Sequence, residues 1–198
     1  MKKISIFIFS LLFFLQTSVQ AYSSNPKEFI NELVEEVITK LSNENLNEEE
    51  KIALIENIAI ENVDISGLGL YALGEIRKSS EKQDIIKYQK IFEKYFLKSL
   101  TSRLIEYSSS RFEIIGDDKK SSNYTIISSK ILPSDGSQEV KIDWRVYTKN
   151  PDKPLIRDLI VEGLSLARTQ KEEFSSILNS NNNDINILIG KLEEFVSN

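Results

Sequence analysis

Asp158, Glu162 and Ser165 are the one cluster whose residue types and spacing resemble a polar site. Two carboxylates near the end of a strand could divide acid and base roles, as in glycoside cleavage. Acids in such places more often cap the following helix or close a turn, and both readings stay open on spacing alone. A sugar-chain substrate finds little support, because Trp144 is the sole tryptophan and no tryptophan-rich groove can be built.

The inventory removes most other chemistry. With no cysteine and no histidine, the chain makes no Ser-His-Asp triad, no Cys-His pair and no ordinary zinc site. Phosphate-loop motifs do not occur. No catalytic residue, metal or cofactor is therefore assigned. Lys82, Lys87, Lys90, Lys94 and Lys98 alternate with acids at helical spacing, the pattern of a solvated face. The formal net charge of −5 becomes −7 without Lys2 and Lys3. That balance argues against nucleic acid and against simple adhesion to anionic headgroups.

Residues 1–21 read as a signal peptide. Lys2 and Lys3 precede an apolar run too short to span a bilayer, and Val19 and Ala21 place small residues where signal peptidase reads them. Cleavage after Ala21 leaves residues 22–198, 177 in all, as a single domain. The absence of cysteine leaves no disulfide and no lipidated tether. The expected product is a soluble monomer, since no second apolar segment approaches membrane length.

The elements that must position any site follow from periodicity. Asn25-Pro26 and Asn47 with Glu48, Glu49 and Glu50 mark two helix starts. A short helix is expected around 63–74. Ser80 and Gln83 have capping-box spacing, which predicts a long helix from there toward Tyr107. Its face carries Tyr88, Phe92, Tyr95 and Phe96. Such a stripe serves an ordinary core or a ligand wall equally well, because pattern does not reveal a cavity.

Strands are expected over 111–115, 124–132, 139–148 and 155–161, with a turn at Pro133, Ser134, Asp135, Gly136 and Ser137 between the second and third. In the third, Val140, Ile142, Trp144 and Val146 face one way, and Lys141, Asp143, Arg145 and Tyr147 the other. Two helices close the chain, the last capped by Asp184. Helices, then a meander, then helices predict an α+β fold: a twisted antiparallel sheet of about four strands packed by several helices.

The order of these motifs resembles the MlaC, or toluene-tolerance, family of periplasmic phospholipid-binding proteins over nearly all of 22–198. Val63-Asp64, Leu73-Gly74 with Arg77 and Ser79, the aromatics Phe92, Tyr95 and Phe96, and Tyr107 carry its first half. Asp158, a three-residue apolar run, Glu162-Gly163-Leu164-Ser165-Leu166, then Phe174 and Ile177 carry the more specific second half. This chain has Pro154 where the family usually has tryptophan, Leu100 where an aromatic is common, and Asn186 near the last helix in place of glycine. Asparagine substitutes well for glycine at a left-handed cap, which is the conformation expected at Asn186.

The resemblance implies helices and sheet around an apolar cavity for acyl chains, with the headgroup near water. It also implies an outer-membrane lipoprotein complex and an inner-membrane ATP-driven lipid transporter as partners. On that reading the aromatic helix stripe and the covered sheet face line the cavity. The lining residues expected are Tyr88, Phe92, Tyr95, Phe96, Ile142, Trp144 and Val146, while Asp158, Glu162, Gly163 and Ser165 hold structure or partners. The competing classes are a carboxylate hydrolase and a periplasmic adaptor or chaperone that encloses no ligand.

Overall fold

Residues 22–104, 111–134, 136 and 138–198 are described by the structure, a computed structural model. The expected signal peptide at 1–21, the expected helix end at Tyr107, and the turn residues Asp135 and Ser137 lie outside them.

The helix starts follow their cap chemistry. In α1 (Pro26–Leu41) the Asn25 side chain accepts from the Lys27 N–H at 2.9 Å, and Pro26 occupies a first-turn position where its missing N–H costs nothing. α2 (Glu48–Asn62) opens with a reciprocal box: Asn47 accepts from the Glu50 N–H, and the Glu50 carboxylate accepts from the Asn47 N–H. Asp64 caps α3 (Ile65–Leu73) by accepting from the Gly67 N–H at 3.0 Å. A Cβ at Gly67 would stand 2.4 Å from that carboxylate, so glycine is what lets the cap close.

A 3₁₀ turn, Gly74–Lys78, leads into α4 (Lys82–Leu104). The capping box expected at Ser80 and Gln83 does not start this helix. The Ile76 carbonyl, which ends the 3₁₀ turn by accepting from the Ser79 and Ser80 N–H groups, also accepts from the Ser80 hydroxyl at 2.9 Å, and α4 begins two residues later. The Glu81 carbonyl accepts from the Asp84 and Ile85 N–H groups instead.

Among the described residues the sheet has five antiparallel strands in the order β1-β2-β3-β4-β5. They are β1 (Arg111–Ser121), β2 (Tyr124–Leu132), β3 (Val140–Tyr147), β4 (Leu155–Val161) and the two-residue β5 (Leu164–Ser165). β1 runs six residues beyond the expected 111–115 because its polar tail keeps pairing with β2. Charges such as Asp117, Asp118 and Lys119 suit the exposed edge that it forms. The fold is α+β, closed by α5 (Leu166–Asn179) and α6 (Ile185–Ser197).

Asn186 does not take the left-handed conformation expected of it. It lies inside α6, where its N–H donates to the Asp184 cap at 2.9 Å. The left-handed residues are Asn182 and Asn183, with φ of 53° and 59°, in the turn between α5 and α6. Two successive asparagines supply there what glycine would otherwise give.

Burial in β3 alternates as expected, with Ile142, Trp144 and Val146 buried. These residues pack with Phe29, Ile30, Leu33 and Val34 of α1 into one hydrophobic cluster. A second cluster joins α3, α4, α5 and α6 around Tyr88, Phe92, Phe174 and Leu188. Val63 touches both. It forms a parallel bridge with Ile156, and the next N–H, of Asp64, donates to the Ile156 carbonyl at 2.9 Å. The Arg157 guanidinium reinforces this joint: it pairs with Asp64, donates to the Tyr124 hydroxyl and lies 3.4 Å over the Tyr147 ring.

Candidate functional site

Between the two clusters lies an apolar cavity of about 520 Å³, within the range of small-molecule sites. α1 contributes Leu33, Val34, Val37 and Ile38 to its wall, and α2 contributes Ile55, Ile58, Ala59 and Asn62. The sheet adds Ile131, Ile142, Trp144, Ile156 and Leu159. From α4 come Phe92, Tyr95, Phe96 and Leu100. Trp144 is held by its indole N–H, which donates to the Ser129 hydroxyl at 2.8 Å while Ser129 donates to the Ile142 carbonyl at 3.0 Å. The indole nitrogen is thus satisfied within the sheet, and the ring body is free to serve as wall.

Five of the seven expected lining residues meet at this cavity: Phe92, Tyr95, Phe96, Ile142 and Trp144. Tyr88 and Val146 are not on the wall, which corrects their assignment to the lining. Tyr88 is fully buried in the helical cluster; its hydroxyl donates to the Gly69 carbonyl at 2.9 Å, and burial pushes its pKa well above the ordinary tyrosine value. Val146 is equally buried in the sheet-α1 cluster, paired with Ile156.

One border of the cavity is polar. Tyr95, Ser99 and Arg103 follow one another at spacings of four along α4, and Thr169, Gln170 and Glu173 face them from α5. The Tyr95 hydroxyl donates to Gln170 Oε1 at 2.8 Å, and Gln170 Nε2 donates to Glu173 Oε2 at 3.1 Å. Arg103 and Glu173 are exposed, as is Leu164, at 61%. Burial raises the Tyr95 pKa and the Glu173 charge adds to that, while the Arg103 charge opposes it.

The family profile described as "MlaC protein" matches residues 27–194. The chain belongs to the MlaC family. The sequence matches no curated protein. The phospholipid-binding protein from Ralstonia solanacearum, solved in complex with a phospholipid, is similar to it in fold, with a TM-score of 0.74 at 17% identity over 86% of this chain and 96% of that one.

The residues that carried the MlaC resemblance have local structural roles. Asp158 is 3% exposed; its carboxylate accepts from the Ser165 hydroxyl at 2.7 Å and the Ala167 N–H at 3.0 Å, with Arg145 at 3.5 Å. Ser165 in turn caps α5 through the Arg168 N–H. Glu162 and Gly163, with φ of 49° and 81°, form a two-residue hairpin loop between β4 and β5. Positive φ at both central residues is the requirement of a type I′ turn. The Glu162 carboxylate accepts from the Lys141 N–H on β3, so the two acids are engaged in separate structural contacts.

The wall residues of α1 and α2 and the polar border were not among the expected lining. A wide apolar stripe on α1, which extends past the buried residues to the half-buried Val37 and Ile38, is the signal that could have indicated a second partner for that helix. Among the described residues no helix is long and apolar enough to cross a membrane, and no group of three acidic, histidine or cysteine residues could hold a metal.

Proposed function

We propose that this protein is a soluble periplasmic phospholipid carrier, released by cleavage after Ala21, that shuttles lipid between an outer-membrane lipoprotein complex and an inner-membrane ATP-driven transporter. The observation that carries the reading is the apolar cavity of about 520 Å³, walled by both hydrophobic clusters and polar along one border. Membership of the MlaC family and the phospholipid bound to the Ralstonia solanacearum neighbour support it. The energetics favour such a container. Two chains of roughly fifteen carbons, at about 0.8 kcal/mol per methylene, cost on the order of 24 kcal/mol to expose to water. A cavity as apolar as the bilayer cancels most of that cost. No nucleotide is needed to hold the lipid, so direction comes from the partners.

Trp144 provides the test, because it is the sole tryptophan and stands on the cavity wall. Phospholipid with brominated acyl chains should quench its fluorescence, and organic extraction of protein purified from periplasm should release phospholipid. Intact mass on the same material should begin at Tyr22. Protein that carries no extractable lipid, and whose tryptophan ignores the brominated chains, would remove the carrier reading.

A further inference from the structure

We propose, resting on the carrier reading, that the polar border of the cavity selects phospholipids with a zwitterionic headgroup that ends in a free ammonium. Arg103 from α4 and Glu173 from α5 border the same cavity and bring opposite charges to one mouth. Glu173 is exposed, but it has a side-chain partner. It is tied through Gln170 to the hydroxyl of Tyr95, whose ring is wedged against Phe195 at 4.9 Å and Phe174 at 6.0 Å. The Tyr95 hydroxyl feels both charges, with Glu173 raising and Arg103 lowering its pKa beneath the larger effect of burial. Cation and anion therefore stand at the same polar border as the Tyr95 hydroxyl, and that border is the point a headgroup would meet.

A lipid with its chains in the cavity brings its headgroup to this point. A phosphodiester is matched by a guanidinium, which offers paired N–H donors. An ammonium three bonds beyond it is matched by a carboxylate and donates hydrogen bonds to it. A headgroup ending in glycerol satisfies Arg103 but sets a net negative lipid beside Glu173, in a mature chain whose own net charge is −7. A trimethylated ammonium keeps the attraction but has no N–H to donate. The order expected is ethanolamine first, then choline, then glycerol.

The experiment offers delipidated full-length mature protein an equimolar mixture of phosphatidylethanolamine and phosphatidylglycerol with identical acyl chains. Total lipid per protein and headgroup ratio are both read by mass spectrometry. Wild type should enrich ethanolamine about twofold to fivefold, the range of a solvent-exposed charge contact. The enrichment should shrink as salt is raised. Glu173→Gln should abolish it and Glu173→Lys should reverse it. Full loading with equal headgroups in wild type, or a ratio that Glu173→Lys does not move, overturns the headgroup assignment and leaves the carrier reading intact. Absence of bound lipid from every protein overturns both.

Discussion

Val146 and Leu100 should respond in opposite ways to the same substitution. Val146 is fully buried between β3 and α1, off the cavity wall, so Val146→Trp must overpack a filled core and should cost about 1 to 3 kcal/mol or more. Leu100 is half-buried and borders the void, so Leu100→Trp should occupy space meant for ligand, keep the fold and exclude lipid. Melting temperature and bound lipid, measured on one preparation of each variant, separate the cases. A folded Leu100→Trp that still carries lipid at the wild-type ratio would show that acyl chains do not lie along α4. Periodicity named the face of Ile142, Trp144 and Val146 correctly, yet it says nothing of what stands opposite each residue. The face continues past the end of the void, and Val146 meets side chains where Trp144 meets space. Tyr88 and Phe92 show the same limit one helical turn apart. Both lie on one stripe, but the Gly69 carbonyl receives the Tyr88 hydroxyl while the Phe92 ring reaches the wall.

At the level of elements, sequence reading succeeded where local chemistry dominates and failed where a neighbour competes. Asn25, Asn47, Asp64 and Asp184 cap helices as their types require. Ser80 was diverted by the Ile76 carbonyl, a competitor visible only once the 3₁₀ turn exists. β3 and β4 lie where strands were expected, and a bulge interrupts their pairing. Arg145 pairs with Asp158 and Val146 with Ile156, so Arg157 has no direct partner, and Ile156 and Leu159, three apart, face the side of Val146 and Trp144. β5 was not expected, because two residues carry too little alternation to read. Gly163 now yields a specific expectation. A Cβ there would meet nothing within 4 Å, so any cost of Gly163→Ala comes from its φ of 81° and not from a clash. The loss should be about 1 to 2 kcal/mol, and Gly163→Asn should be milder because asparagine tolerates this conformation. Urea titration checks it: the midpoint should fall with the slope unchanged. An alanine variant as stable as wild type would mean that this turn relaxes out of the left-handed region.

For the whole molecule, the decisive feature is a folded domain with a large apolar void between its two hydrophobic clusters. Protein interiors are otherwise packed like organic crystals, and side chains lining a void lose the dispersion contacts that a filled interior would give them. Much of the helix-to-sheet contact is therefore left for a ligand to complete, around the direct joint at Val63, Asp64, Ile156 and Arg157. A ligand that fills the void in the native state and finds no such site in the unfolded chain must stabilise the fold by mass action. At a free concentration one hundred times its dissociation constant, the gain is about 2.7 kcal/mol. For a domain of this size each kcal/mol moves the melting temperature by about 2 to 4 °C. Delipidated protein should thus melt about 5 to 10 °C below the loaded form, and adding back phospholipid should restore the difference. Calorimetry on both forms, with bound lipid quantified in parallel, provides the measurement. Leu100→Trp is the internal control, since a protein whose cavity no longer admits acyl chains should melt at the same temperature with or without added lipid. Equal melting temperatures for wild type that is shown to be loaded and wild type that is shown to be empty would mean that the acyl chains bind outside the void.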